Sequence, residues 1–477
     1  MNQTAISVTQ NQNCYIYDNV SGISMLIHPD LKCIHENDNG TDYYKKKYEY
    51  LKKHHFFSNT FPSKTETIIT ESMIRNSIIH TPQLLFEVTD CCNLKCTYCA
   101  LGELYQGNGS RNSQNINLDS AKKLLKYILD LKIQNNENKI IISFYGGEPL
   151  VNFYAIKQII MAAENINSEQ KIAIGYNMTT NAMLLDKYID FLVKHQFSIL
   201  ISLDGNEANN DYRITKDNQK SFFKVISNLD KIKKKYPYYF EEKINFNSVL
   251  HNKNSVKSIY EFIYKKYNKK PQISELNTSG VNIEKKSFFQ QLYRNRRKSE
   301  SEYSKEKNNL LDHRETIIFH ELINFLKYFS INSIISNVLS SFRGEEKHFP
   351  ACTCIPFSKR IFLTTNNTLL PCERIDHKYF LGAITENVEI DIANIAKLYT
   401  DYYQRLECKC AECYLVKFCG VCMFHIEHFD QLKNKDIVCG SFHDLEKFQN
   451  KLQRIYTYLE DNPNDYYEIL ENLIMVS

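Results

Sequence analysis

The stretch "VTDCCNLKCTYCA", Val88 to Ala100, decides how this chain is read. It packs four cysteines into nine residues, Cys91 to Cys99, with Cys91 and Cys92 adjacent and Cys96 and Cys99 at spacings of four and three. Of 15 cysteines in 477 residues, only Cys14 and Cys33 stand apart from two groups, at 91–99 and 352–439. The opening "MNQTAISVTQNQNCYIYDN" has no basic region followed by an apolar core, so no secretory signal is expected. No run of about 18 apolar residues appears, so no membrane helix is expected either. A cytoplasmic protein is anticipated, where disulfides are rare. Clustering then points to metal ligation, because ligands must converge on one ion or cluster.

Outward from this stretch, strand-like and helix-like segments alternate. The strands read as "QLLFEVT", "KIIISFYGG", "IAIGYNMTT", "FSILISLDG", "KINFNSVLH" and "PQISELNTSG", with helices such as "LDSAKKLLKYILDLK" and "LLDKYIDFLVKHQ" between them. That rhythm predicts an α/β fold, a parallel sheet with crossover helices and its chemistry at the C-terminal strand ends. The first cysteine group follows the first of these strands. Before them, "NCYIYDN" and "GISMLIHPDL" predict a hairpin across Val20-Ser21-Gly22, and "DYYKKKYEYLKKHHFF" a basic helix. The net charge of +4 is small for this length and unclustered, which argues against a general nucleic-acid surface.

"CNLKCTYC" is CxxxCxxC counted from Cys92. Three thiolates can hold three irons of a [4Fe–4S] cube and leave the fourth open. The other reading is zinc, which more often uses CxxC pairs and a fourth protein ligand. The spacing, after a first strand and with Tyr98 before the last cysteine, resembles the radical S-adenosylmethionine enzymes. The resemblance implies a partial (β/α)6 barrel, with Cys92, Cys96 and Cys99 as ligands and Cys91 as a small residue beside them. In "YGGEP", Gly146 and Gly147 would let the backbone approach a ligand, and Glu148 would accept from the methionine ammonium of S-adenosylmethionine. Asn181, Ser202 and Asp204, at the next strand ends, would face its ribose or methionine part, and Arg213 its carboxylate.

The second group contains "CIPFSKRIFLTTNNTLLPC", Cys354 to Cys372, then "CAECYLVKFCGVC" and Cys439. Paired CxxC alone suits zinc. Behind such a barrel the pattern resembles the SPASM domain, which carries up to two auxiliary [4Fe–4S] clusters. The resemblance implies Cys354, Cys372 and Cys422 at the nearer cluster and Cys410, Cys413, Cys419 and Cys439 at the farther one. Cys352 stands only two residues before Cys354, nearer than the pattern expects, and is taken as the fourth ligand of the nearer cluster, the alternative being an open iron there that binds substrate. Only two residues separate Cys419 from Cys422, where the pattern has three, and Cys408 has no counterpart.

The expected organisation is an N-terminal unit over 1–80, the barrel over 81–285, a helical linker over 286–345, the small cysteine-rich domain over 346–441 and a C-terminal helix over 442–477. The expected cofactors are S-adenosylmethionine and three [4Fe–4S] clusters. The resemblance implies a peptide maturase that takes a hydrogen atom from a ribosomally made precursor peptide through a 5′-deoxyadenosyl radical and installs a carbon–carbon, ether or thioether crosslink. A flavodoxin- or ferredoxin-type donor would supply electrons, and residues 1–80 would help capture a leader peptide by strand addition. A formylglycine-generating sulfatase-maturase type is the enzymatic alternative, with Glu373 after Cys372 as a general base or as the partner of Arg374. A noncatalytic iron–sulfur or zinc protein is the alternative from another class.

Overall fold

The computed structural model describes residues 4–19, 22–54, 66–106, 113–169, 171–330, 349–427, 429 and 437–475. It divides into two compact units. Residues 69–311 and 354–399 form one, and residues 1–68, 312–353 and 400–477 the other. The boundaries expected from the sequence fall elsewhere. The anticipated linker is shared between both units, and so is the cysteine-rich segment, while the N-terminal residues group with the C-terminal ones.

The first of these units is built on one ten-stranded sheet. The six strands anticipated from the alternation are present as β4 (Gln83–Thr89), β5 (Lys139–Gly146), β6 (Ala173–Thr180), β7 (Ser198–Ser202), β8 (Ile244–Leu250) and β9 (Gln272–Glu275). They pair in chain order and in parallel. The helices between them, including Leu118–Gln134, Phe153–Ile166 and Leu185–Lys194, bury apolar stripes such as Leu124, Leu125 and Ile128. Period-two alternation gives the sheet two unlike faces. One carries Phe86, Ile142, Phe144, Met178, Ile201 and Phe246, all buried. The other carries Tyr145, Asn177, Thr179, Ser202 and Asn247, all half-buried.

The sequence does not announce what happens at the β4 edge. The strand β10 (Ile361–Leu363), from "KRIFLTT", pairs in parallel with β4, Phe362 opposite Leu85. Then β11 (Thr368–Leu370), β12 (Gly382–Ile384) and β13 (Val388–Glu389) continue the sheet antiparallel. Glu87, buried on β4, accepts from Thr365 N at 3.1 Å and so fixes the end of β10.

In the other unit, β1 (Thr4–Val8), β2 (Cys14–Asp18) and β3 (Ile23–Ile27) form an antiparallel sheet in that order. The expected hairpin is thus β2–β3, with its turn residues Val20 and Ser21 outside the described residues. The basic helix spans Asp42–Lys53. The C-terminal helix, Leu445–Asp461, packs against β1 and β2: Tyr15 stacks on Tyr456 at 4.7 Å, and Ser7 donates to the Gln449 carbonyl at 2.9 Å. A shared core of Ala5, Tyr17, Phe325, Phe448 and Leu452 explains why the two ends of the chain group together. Among the described residues no helix is long and apolar enough to cross a membrane.

Candidate functional site

The cysteine loop leaves β4 after Thr89 and is held on two sides. Lys95 and Thr97 donate their N–H groups to the carbonyls of Ile214 and Tyr212 at 2.8 and 3.1 Å. Farther along, Gln106 N donates to Gly280 O and Asn282 N to Leu104 O. Buried Tyr98, Leu104 and Tyr105 pack with Leu276, Phe289 and Leu292 below the loop. The three cysteines of CxxxCxxC are therefore presented from a fixed loop at the strand end. Burial pushes the Cys96 thiol up to about 12, with Arg213 opposing. Ligation to a metal would deprotonate it outright. Leu94 N–H points at the Cys92 sulfur at 3.4 Å, and Asn181 Nδ2 at 3.8 Å.

The GGEP turn packs on this loop, and its glycines sit hard against the loop backbone. A Cβ on Gly146 would stand 2.0 Å from the Thr89 carbonyl oxygen, and one on Gly147 2.1 Å from that of Cys91. Gly146 also has φ +133°, a region that favours glycine. The close approach is thus to the protein's own cysteine-bearing backbone. Gly147 N donates to Thr89 O and Glu148 N to Cys91 O, both at 2.9 Å. Cys91 is fixed through its backbone, while its side chain stays half-buried.

Glu148 is buried to 1% exposure. Its Oε1 accepts from Thr180 Oγ1 at 2.7 Å and from Leu150 N at 3.1 Å, and its Oε2 from Asn181 N at 2.7 Å. Burial raises its pKa above the ordinary carboxylate range, against those three hydrogen bonds. Three of about four acceptor positions are filled, leaving one direction on Oε2. Asn181 is turned toward the loop, donating to Asn93 Oδ1 at 2.7 Å. Ser202 lies on the half-buried polar face of the sheet.

The structure brings Asp204, Arg213 and Tyr98 together with one another. Asp204 is fully buried and takes a bidentate pair from Arg213, Nε at 2.9 Å and Nη2 at 3.0 Å. The Tyr98 hydroxyl also donates to Asp204. Burial alone would raise the Asp204 pKa; Arg213 and His251 outweigh it and hold the carboxyl well below its usual range. His251, fully buried, is the residue that sequence reasoning passed over. It directly follows β8, and position at a strand end was the available signal. Glu373, offered as a base or as the partner of Arg374, lies 2.6 Å from Arg360 and 3.6 Å from Arg374.

In the other unit, Cys410, Cys413, Cys419 and Cys439 line one cavity with Leu406, Val421 and Ile437. His443 N–H points at the Cys413 sulfur at 3.4 Å. A tetrahedral zinc site, with Zn–S near 2.3 Å, would bring sulfurs to about 3.8 Å of one another. Among the described residues, the ligand-type side chains that converge within 4.8 Å are His313, Asp465 and Glu468, not cysteines. Cys352 and Cys422 belong to this unit, and Cys354 and Cys372 to the barrel unit.

Residues 86–263 match the model of the radical SAM superfamily. A radical SAM cyclopropyl synthase, TigE, of Paramaledivibacter caminithermalis is 27% identical over 170 residues, 34% of this chain and 34% of that protein. The chain thus spans about a third of that relative's length. A cysteine-type anaerobic sulfatase-maturating enzyme of Clostridium novyi is 24% identical over 373 residues, 76% of this chain and 93% of that protein. The solved structure of native anSMEcpe with bound AdoMet and Kp18Cys peptide shares the fold, with TM-score 0.52 and 18% identity over 82% of this chain and 99% of that one.

Proposed function

We propose, from the match of residues 86–263 to the radical SAM superfamily, that the chain is a peptide maturase installing an oxidative crosslink in a ribosomally made precursor. The observation that carries the reading is the three-cysteine loop, fixed at the C-terminal end of β4 and packed against the GGEP turn. Cys92, Cys96 and Cys99 would hold a [4Fe–4S] cluster, which supplies the electron that cleaves S-adenosylmethionine to the 5′-deoxyadenosyl radical. The remaining acceptor direction of Glu148 suits the methionine ammonium. Ser202, Thr179 and Asn247, on the polar face of the sheet, would line the substrate side with neutral donors and acceptors. A crosslink removes two hydrogens in all, one as an atom and one as a proton with its electron. The farther cysteine cavity, with Cys410, Cys413, Cys419 and Cys439, fits an auxiliary cluster that could receive that electron.

The N-terminal sheet supports a peptide substrate. Strand β3 stands last in the sheet order β1-β2-β3. The end of a sheet is where an extended peptide adds as a further strand. Lys45, Lys46 and Lys47 on the neighbouring helix would favour an acidic leader.

A second reading, formylglycine formation, is favoured by the match that spans 93% of the sulfatase-maturating enzyme. The two readings separate by product. The reconstituted protein is incubated anaerobically with S-adenosylmethionine, a reductant and either a short peptide encoded beside it or a sulfatase-type cysteine peptide. Loss of two hydrogens from the encoded peptide supports the crosslink. Exchange of the cysteine sulfur for an aldehyde oxygen in the other peptide supports formylglycine. Absence of 5′-deoxyadenosine under all conditions refutes both.

A further inference from the structure

Beneath the cluster loop lies a charged group that hydrogen abstraction does not use. Asp204 gathers contacts from three separate segments. Tyr98 Oη comes from the loop itself, between the second and third cysteines. Arg213 Nε and Nη2 come from "NDYRIT" at 2.9 and 3.0 Å. Val249 N comes from β8 at 2.9 Å, and His251 Nε2 stands at 3.6 Å. The His251 ring stacks on Tyr98 at 5.4 Å, and the Arg213 guanidinium lies 5.5 Å from the Tyr98 ring centroid. The residues flanking Arg213, Tyr212 and Ile214, accept the backbone bonds from Thr97 and Lys95. Arg213 therefore secures the loop twice, through its neighbours' carbonyls and through Asp204.

A buried ion pair is costly to desolvate and is weak evidence for stability alone. Its placement suggests another role. Charge held in a low-dielectric interior acts strongly on nearby groups, and hydrogen bonding and net charge set iron–sulfur potentials. We propose that Asp204 and Arg213, with Tyr98 and His251, form a buried clamp that positions the three-cysteine loop and sets the reduction potential of the cluster bound there. These are positioning residues. The pair is neutral as a unit, and each partner masks the other's field.

The proposal predicts opposite responses from single and double substitutions. Asp204→Asn leaves Arg213 uncompensated, and arginine stays charged in proteins. The uncovered positive charge favours the reduced cluster, so the potential rises, by about tenfold in the redox ratio, or about 59 mV for one electron. Asp204→Asn/Arg213→Gln removes both charges and returns the potential toward wild type. Tyr98→Phe keeps the volume but takes a donor from Asp204, so the potential falls. The measurement is an anaerobic redox titration of the holoenzyme, with the barrel cluster recognised by the change in its electron paramagnetic resonance on adding S-adenosylmethionine. An unchanged potential in Asp204→Asn with full iron overturns the proposal, as does a double variant that moves farther in the same direction. Where Asp204→Asn gives no soluble protein, Tyr98→Phe decides: a lowered potential supports the clamp and an unchanged one overturns it. The inference rests on the barrel cysteines holding a cluster. Failure of that premise shows as missing iron in the wild type, whereas failure of the clamp shows as full iron with an unmoved potential.

Discussion

Gly147→Ala tests whether the GGEP turn exists to seat the cluster loop. A Cβ at Gly147 would lie 2.1 Å from the Cys91 carbonyl oxygen, 2.3 Å from its carbonyl carbon and 2.8 Å from the Asp90 oxygen. All three are backbone atoms and cannot swing aside. The turn must lift off the loop, stretching Gly147 N to Thr89 O and Glu148 N to Cys91 O. Overpacking costs about 1–3 kcal/mol, and each backbone hydrogen bond lost costs about 1 kcal/mol. The two effects together reach about 3–5 kcal/mol, a large part of the ~5–15 kcal/mol that holds a domain folded. The lifted turn also withdraws support from the residue before Cys92, so the barrel cluster should load poorly. The assay is anaerobic chemical unfolding followed by circular dichroism, with iron counted on the same samples. Gly175→Ala is the control, since a Cβ there meets only the Ile141 side chain, at an ordinary 3.8 Å. A Gly147→Ala protein with the wild-type unfolding midpoint and full iron would refute the reasoning.

Replacing Cys92, Cys96 and Cys99 together with Ala should abolish 5′-deoxyadenosine formation while iron elsewhere remains; continued formation removes the ligand assignment. Cys91→Ala should keep the barrel cluster, because Cys91 is held through its backbone rather than its sulfur; loss of about four irons would transfer the ligand role to Cys91. Glu148→Gln leaves one buried N–H facing another donor, at about 1–3 kcal/mol, and should weaken S-adenosylmethionine binding in a titration. Its pH behaviour carries a sign. Burial raises the Glu148 pKa, so the stability of its neutral form is present below the ordinary carboxylate pKa and lost as pH rises through the raised one. Across that weakly acidic window the wild type should lose stability with rising pH, and the glutamine variant should lose less. Cys372→Ala should leave S-adenosylmethionine cleavage intact and impair peptide product, as read by mass; loss of both would place Cys372 in the barrel cluster's own chemistry.

What the sequence disclosed was local or periodic. The six strands β4 to β9 follow from runs of β-branched and aromatic residues between helical stretches, and each lies where its run predicted. The CxxxCxxC loop was legible because its ligands are neighbours in the chain. Pairings between distant residues were not legible. Strand β10 has three residues and finds β4 across 277 positions, Ile361 opposite Leu84, a contact that nothing in "KRIFLTT" specifies. Asp204 and Arg213 stood out as residue types, but their mutual pairing depends on how "NDYRIT" folds back onto Asp204. Glu373 shows the same limit: Arg374 was visible as a partner from adjacency, while Arg360 at 2.6 Å, 13 residues away, became a neighbour only through the β10–β11 hairpin.

The register of that hairpin also constrains where chemistry can occur in the barrel unit. Phe362 on β10 faces Leu85 on β4 and Leu370 on β11. Cys372 lies two residues past Leu370, where antiparallel β11 ends, so the chain heads there toward the level of Gln83, where β4 begins. The cluster loop leaves the opposite end of β4, after Thr89. Six strand steps of about 3.3 Å put roughly 20 Å between these levels. Cys372 and the loop cysteines thus belong to opposite ends of the same sheet, with the polar residues Tyr145, Thr179 and Asn177 between them on one face. Both ends hang on the same strand, β4, with β5 on one side and β10 on the other, and Glu87 ties β10 to it. Their separation is consequently fixed by a hydrogen-bonded sheet rather than by a mobile connection. A metal group held by Cys372 at that end would be too far from the loop to share a ligand with it.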